Sequence, residues 1–149
     1  MLTVLIILQA FQVAFLWLHD WVPLGRLNDV PAVRAADPTS RLIRVTLIGA
    51  VPFTIGLVFS IIDLRTGFPG WLWYWLWISY ALLFAGAIRA WWVPYLVRPD
   101  PVRASRYQAM FGGTHAFLPK RNGITPNTLH VALHACIAAT LVVLAVLTA

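Results

Sequence analysis

The sequence predicts an all-α fold: a polytopic membrane protein in which four transmembrane helices form an antiparallel bundle. Of its 149 residues, 60% are hydrophobic and only 11% are charged, whereas about a quarter of the residues in soluble domains are charged. The charge is also one-sided, with ten Arg and one Lys against five Asp and no Glu. Four apolar stretches approach the roughly 20 residues that a helix needs to cross a bilayer. A single transmembrane domain over residues 1–149 is therefore expected.

The four predicted spans cover about residues 1–19, 38–63, 69–96 and 127–148. The first carries neither a basic leader nor a small-residue cleavage site, which favours a transmembrane helix over a signal peptide. Asp37, which precedes Pro38, and Asn127 predict the starts of the second and fourth helices, because these side chains accept hydrogen bonds from a first helical turn. Trp73 and Trp91 mark the two membrane interfaces of the third helix, since indole rings favour that depth.

The basic residues predict the orientation of the chain in the membrane. Four Arg lie between the first and second helices, and four Arg and one Lys lie between the third and fourth, whereas the remaining connection holds only Arg65. Basic loops stay in the cytoplasm, so both termini are expected outside a cell's inner (plasma) membrane. The expected partners are the bilayer and its anionic headgroups. Nucleic acid is not expected, because the basic residues lie at the membrane edge rather than on a free-standing basic face.

The connection between the third and fourth helices is too long to be a simple link. Asp100-Pro101 and Gly112-Gly113 predict the start and end of a short interfacial helix from Val102 to Phe111. The segment 110–127 mixes glycines, a histidine, apolar side chains and prolines. This composition differs from that of a flexible linker. We therefore predict a long ordered cytoplasmic loop that forms a lid over the mouth of the bundle.

Each predicted span has one face of polar or small residues, the kind of face through which membrane helices associate. Pro52 should also kink the second helix, because it lacks a backbone N–H. Together the four faces predict a compact bundle with a partly polar interior. They comprise Gln9, Gln12 and His19 on the first helix, Thr46, Gly49, Phe53, Gly56 and Ser60 on the second, Ser79, Gly86 and Arg89 on the third, and Asn127, His130, His134 and Ala138 on the fourth.

The four histidines are all expected at the cytoplasmic end and suggest a metal site. His130 and His134 are spaced i, i+4, so a helix presents both imidazoles on one face, as in sites that hold one ion. His19, His115 or Asp20 would complete the ligand set for Zn²⁺, Fe²⁺ or Mn²⁺. Haem b between His19 and a histidine of the fourth helix is a weaker alternative. Interfacial histidines that bind only backbone or lipid account for the pattern equally well.

Recognition of an anionic lipid or phosphorylated headgroup is the third interpretation of the same end. Arginine and lysine donate charge-assisted hydrogen bonds to phosphate, and the N-terminus of the fourth helix adds its dipole. The residues expected to form this ligand site are Arg89, Asp20, Asn127, Arg44, Lys120 and Arg121.

The leading functional hypothesis is a membrane-embedded His/Asp/Arg site, open to the cytoplasm, that binds a metal ion or an anionic lipid-like ligand. Whether such a site also acts on its ligand as an enzyme stays open at this point. The alternative is a non-catalytic homo-oligomeric transporter, channel or accessory subunit that uses the small-residue face of the second helix as its interface. No carboxylate lies in a membrane interior, because Asp20 and Asp63 are at helix ends, which counts against a proton-coupled antiporter that relies on a buried acid.

Overall fold

A computed structural model describes residues 1–149 and is helical throughout, with no β-strand. A π-helical turn at Ile88–Trp92 joins α4 to α5, so residues 70–96 form one continuous helical segment. The helices are α1 (Leu2–Leu18), α2 (Val30–Ala36), α3 (Thr39–Ile62), α4 (Gly70–Ala87), α5 (Val93–Leu96), α6 (Pro101–Phe111) and α7 (Thr128–Thr148).

Three helical segments are long and apolar enough to cross a membrane, namely Thr39–Ile62, Gly70–Leu96 and Thr128–Thr148. Helix α1 is also apolar but has only 17 residues. Large apolar side chains such as those of Ile48 and Ile78 are exposed on these helices, as expected for surfaces that face lipid rather than water. The prediction of a helical membrane protein is confirmed.

Helix α1 packs against α3 and α7, and α4 packs against α7 and α3. Two side-chain hydrogen bonds fix α1 against α3: Gln9 Nε2 donates to Ser60 Oγ at 3.1 Å, and Trp17 Nε1 donates to Thr54 Oγ1 at 3.0 Å. The residue numbers rise along α1 as they fall along α3, so the two helices are antiparallel. The polar side chains predicted to face inward on these two helices therefore meet each other.

The small-residue face of α3 is covered mostly by the chain's own helices. A Cβ added at Gly56 would lie 3.1 Å from Leu76 Cδ2 on α4. Ser60 accepts a hydrogen bond from α1, and Thr46 accepts one from Trp21 in the turn after α1. Gly49 is the exception, because no heavy atom lies within 4 Å of an added Cβ there. The continuous surface that was expected to serve as an oligomer interface is thus largely buried within the chain.

The predicted inward face of the third span is wrong. The Ser79 hydroxyl donates to the Trp75 carbonyl oxygen of its own helix, and Arg89 is exposed. The buried row instead consists mostly of large side chains, because these fill the space between α4 and its neighbours. That row contains Leu72, Leu76, Tyr80, Ala87 and Trp91.

The end of the molecule that carries residues 19–38 and 98–126, here called the basic end, has a small core of its own. Helix α2 packs on α6, and Val33, Leu42 and Met110 are buried together. The predicted short helix is present as α6, with the backbone N–H of Arg103 donating to Asp100 Oδ1 at 3.0 Å. Helix α2 was not predicted and lies in what the sequence suggested to be a loop.

The start of α3 differs from the prediction. Pro38 occupies the N-cap position, with no side-chain cap. The Asp37 carboxylate instead forms ion pairs with Arg41 and Arg106. Two guanidinium groups outcompete the neutral backbone N–H groups for one carboxylate, because both partners of each ion pair carry a full charge. Asn127 does cap α7 as predicted, accepting from the backbone N–H of His130 at 3.1 Å.

The segment between α6 and α7 is held in place by contacts with both flanking regions. The backbone N–H of His115 donates to the Arg26 carbonyl oxygen at 2.6 Å. The Tyr95 hydroxyl donates to the Pro119 carbonyl oxygen at 3.0 Å, and Asn122 Nδ2 donates back to the Tyr95 carbonyl oxygen at 3.0 Å. These bonds attach the segment to α5 and to the loop that follows α1.

Candidate functional site

A cavity of about 610 Å³ lies at the basic end, between α3, the π-helical turn and α6. We call it the mouth cavity. His19 and His130 line it together with two kinds of wall. The charged wall consists of Asp20, Asp37, Asp100, Arg41, Arg103 and Arg106, and the apolar wall consists of Leu42, Val45, Trp91, Met110 and Phe111.

Asp37 organises the charged wall. Its carboxylate is 7% exposed and accepts from Arg106 Nη2 at 2.5 Å and from Arg41 Nη1 at 3.2 Å. The two arginine side chains are 38% and 45% exposed, so their remaining donors are accessible. Because a guanidinium carries five N–H donors, each arginine can bind a further anion while it stays paired with Asp37. Asp37 is thus surrounded by two cations, and the whole wall balances three arginines against three aspartates.

His19 and Asp20 form a proton-sharing pair beside this wall. His19 Nδ1 lies 2.9 Å from the Phe15 carbonyl oxygen, which only accepts, so Nδ1 carries a hydrogen. His19 Nε2 lies 3.3 Å from Asp20 Oδ1, within ion-pair distance. Burial raises the pKa of the Asp20 carboxyl, His19 lowers it, and Asp37 raises it; the net shift is upward. The carboxyl therefore holds its proton to higher pH than an exposed aspartate does.

His130 is oriented by Asn127. His130 Nδ1 lies 2.6 Å from Asn127 Oδ1, the same atom that caps the helix. Because that oxygen only accepts, Nδ1 carries the hydrogen and Nε2 of the neutral ring carries a lone pair. Trp91 and Phe111 surround the ring at centroid distances of 4.5 and 5.0 Å. The ring is thus held in one orientation by a polar anchor and an aromatic enclosure. The resulting group is an imidazole base at the wall of the cavity.

The four predicted metal ligands do not assemble. No three His, Cys, Asp or Glu side chains lie close enough to hold one ion. His115 is exposed in the loop, where its Nδ1 lies 2.7 Å from Thr128 Oγ1. His134 is buried one turn after His130, with its Nδ1 unpartnered. The lone pairs of the four rings therefore do not converge.

The haem hypothesis is also disfavoured by the directions in which the histidine nitrogens point. The rings of His19 and His130 are close, with centroids 5.8 Å apart. Axial ligation would require Nε2 of both rings to face the space between the helices, but His19 Nε2 contacts Asp20. The observed pair suits proton exchange with Asp20 better than ligation of a haem iron.

Several residues predicted to bind an anion lie outside the mouth cavity. Arg44, Lys120 and Arg121 are exposed and do not line it. Arg89 lines a separate groove with Arg98. The reason is the position of Arg89 on the helix: Ala87 and Trp91 continue the buried face with a four-residue spacing, whereas Arg89 lies on the opposite side.

The sequence interpretation missed the arginines that do line the cavity. Arg41 follows Asp37 at i+4 and Arg103 follows Asp100 at i+3, and these spacings are a recognisable signal for helix-surface ion pairs. Arg106, by contrast, pairs with Asp37 across 69 positions of the chain, and no local pattern could have indicated that contact.

The assembled mouth cavity combines accessible guanidinium donors, a proton-sharing pair, an oriented imidazole and an apolar wall. Chemically, such a combination can bind an anionic group, accommodate an attached apolar group and exchange protons with either. Compared with models of protein families, with curated proteins and with solved structures, the chain matches none.

Proposed function

We propose that the chain is a single-domain, multi-pass protein of a cell's inner (plasma) membrane whose cytoplasmic mouth binds an anionic amphiphile. The observation that carries this proposal is the pairing of two unlike walls in one cavity. Arg41 and Arg106 supply free N–H donors for anionic oxygens, and Trp91 and Phe111 supply an apolar surface opposite them. A ligand with both a charged and an apolar part satisfies both walls.

The proposed topology has four spans, with α1 as the fourth. Helix α1 is continued past its last residue by one turn, in which the Val22 N–H donates to the Leu18 carbonyl oxygen. The Nε2 groups of its two buried amides, Gln9 and Gln12, donate to α3 and α7, and only their Oε1 atoms have no partner. Donors at membrane depth need such internal acceptors. Four spans place nine of the eleven basic residues on one side, which the positive-inside rule assigns to the cytoplasm.

Binding of short-chain lipids tests the proposal. Purified full-length protein in a neutral detergent is titrated with dihexanoyl phosphatidic acid and, separately, with dihexanoyl phosphatidylcholine, and bound lipid is counted by native mass spectrometry. We expect roughly tenfold or greater preference for the anionic lipid, because one hydrogen bond to a charged group is worth about 1.5–3 kcal/mol. Equal binding of the two lipids would contradict the proposal.

Matched variants show whether the preference belongs to the mouth cavity. The triple variant Asp37→Asn, Arg41→Gln, Arg106→Gln removes the ion-paired group without leaving a buried charge unpaired, and should lose the preference. Arg44→Gln removes the same charge three residues further along α3, outside the cavity, and should keep it. Loss of the preference in Arg44→Gln would indicate a general surface charge effect. A stoichiometric metal in the purified protein would favour the metal hypothesis instead.

A further inference from the structure

Helices α3 and α4 are in contact at one end and apart at the other. Near the end of α4 that carries Trp71, Trp73, Trp75 and Trp77, here called the aromatic end, the rings of Phe59 and Trp71 lie 5.0 Å apart and those of Phe53 and Tyr80 lie 5.1 Å apart. At the basic end, Leu42 of α3 and Ala90 of the π-helical turn line the mouth cavity instead. The cavity therefore occupies the space between two neighbouring membrane helices.

Two glycines on one face of α3 locate where the separation begins. Gly49 and Gly56 are seven residues apart and so point in nearly the same direction. A Cβ added at Gly56 would lie 3.1 Å from Leu76 Cδ2, whereas one added at Gly49 would meet nothing within 4 Å. Leu42, a further seven residues towards the basic end, lines the cavity. One strip of α3 thus passes from close packing through open space into the mouth cavity.

Pro52 lies between the packed and the open glycine. It has no N–H to donate to the Ile48 carbonyl, so the helix loses one hydrogen bond and resists bending least at this position. On the opposite side of the gap, Gly86 of α4 also has nothing within 4 Å of an added Cβ. Each helix therefore has a glycine, which has no side chain, near the point where the two helices separate.

We infer that the gap between α3 and α4 is a lateral opening that holds an acyl chain, so that the amphiphile is an anionic phospholipid that enters from the inner leaflet. This inference rests on the proposed function and adds to it the source of the ligand. The phosphate lies against Arg41 and Arg106, and an acyl chain runs outward past Leu42 and Gly49. From Leu42 to Gly49 this path is roughly 10 Å long, at 1.5 Å per helical residue.

The charge and position of the lining residues favour a lipid over a water-soluble anion. Val45 lines the cavity and is 54% exposed, on a helix whose outer surface is apolar enough to face lipid. The cavity thus continues from charged groups directly to lipid-facing side chains. A soluble anion would leave this apolar path filled with water, whereas an acyl chain removes its surface from water.

Filling the gap tests the inference. The double variant Gly49→Leu, Gly86→Leu is titrated with dioleoyl and with dihexanoyl phosphatidic acid in neutral detergent, and bound lipid is counted by native mass spectrometry. We expect affinity for the long-chain lipid to fall roughly tenfold, equivalent to about two methylene groups that are no longer buried. Affinity for the short-chain lipid, whose tails end near the mouth, should be unchanged. Ala81→Leu, Ala139→Leu adds the same side chains at exposed positions of α4 and α7 and should leave both affinities unchanged.

The possible outcomes separate the inference from the proposed function. If the glycine variant binds the long-chain lipid as tightly as the unmodified protein does, while the preference for an anionic headgroup persists, the lateral opening is wrong and the proposed function stands. An equal loss in the Ala81→Leu, Ala139→Leu control also overturns the opening. If the unmodified protein shows no preference for the anionic headgroup, the proposed function fails and the opening with it. Should the double variant fail to fold, the single variants Gly49→Leu and Gly86→Leu carry the same test.

Discussion

Helices α3 and α4 pack closely at the aromatic end and are separated at the basic end. At the aromatic end, Gly56 allows α4 to approach until Leu76 is in van der Waals contact, and aromatic rings fill the remaining space. At the basic end, the helices part around charged side chains and are bridged by α6. Without water to expel, membrane helices associate through such close packing. Where two of them separate, this stabilising contact is lost, and a ligand that fills the space can replace it.

The polar groups of the two ends differ in the same way. Inside the bundle, Gln12 Nε2 donates to Thr140 Oγ1 at 2.8 Å and to the Leu8 carbonyl oxygen at 2.9 Å, so both of its donors are used within the protein. At the basic end, Arg41 and Arg106 share one carboxylate and keep donors accessible. Donors that are used inside the protein hold helices together, whereas accessible donors are available to a ligand.

The largest expected effect comes from placing the same leucine at the two glycines of α3. Gly56→Leu should be about 2 kcal/mol less stable than Gly49→Leu, because overpacking a filled contact costs about 1–3 kcal/mol. Both variants gain the same intrinsic helix propensity on loss of glycine, so their difference reports packing alone. The measurement is the free energy of unfolding in mixed micelles titrated with dodecyl sulfate, followed by far-UV circular dichroism. Equal stability of the two variants would mean that α3 and α4 do not part between these positions.

A smaller effect, an increase in the free energy of unfolding, is expected when Asp20 is replaced by asparagine. Since burial raises the pKa of this carboxyl in the folded protein, folding favours the protonated form. Its contribution to stability is full below the ordinary pKa of an aspartate and is lost as the pH rises through the raised value. Asp20→Asn, which mimics the protonated form, should therefore unfold less readily than the unmodified protein at pH 7. This advantage should shrink as the pH falls towards the ordinary pKa.

The pH dependence of the free energy of unfolding between pH 4 and pH 8 checks this expectation. Asp63→Asn serves as the control, because Asp63 lies at the C-terminus of α3, far along the chain from the basic end, and forms no ion pair. A destabilised Asp20→Asn variant at pH 7 would show that the contact with His19 outweighs burial. A stabilised one would indicate that the carboxyl is kept for binding or chemistry at the expense of stability.

The sequence was sufficient where the determining interactions are local. Three spans follow from the lengths of their apolar runs, and the caps at Asp100 and Asn127 follow from side chains that bind the helical turn directly after them. The same logic failed at Asp37, because its partner Arg106 is 69 positions away and only the folded chain brings the two together.

The candidate site was predicted in part for a related reason. His19, Asp20 and His130 line the mouth cavity together, since all three lie at ends of spans that the sequence predicts. Arg89 does not, because it lies on the opposite side of its helix from the buried Ala87 and Trp91; the prediction took the side with small and polar residues as the inward face, whereas large side chains fill that contact. The gap between α3 and α4 could not be predicted from the sequence either. Gly49 and Gly56 are identical residues on one face of α3, and they differ only in whether another helix lies close to them.

The smallest expected effect concerns the polar contact inside the bundle, and two threonines of α7 isolate it. Thr140 and Thr148 each donate to the carbonyl oxygen four residues earlier at 2.9 Å, but only Thr140 also accepts from Gln12 of α1. Thr140→Val should therefore lower the free energy of unfolding by about 0.6 kcal/mol more than Thr148→Val does, the typical value of one hydrogen bond between membrane helices. The difference is small because Gln12 Nε2 keeps its bond to the Leu8 carbonyl oxygen. A difference above about 2 kcal/mol in the same dodecyl sulfate titration would mean that α1 depends on this polar contact rather than on packing. In that case the interior of the bundle would resemble its basic end, where charged and polar groups set the arrangement of the helices.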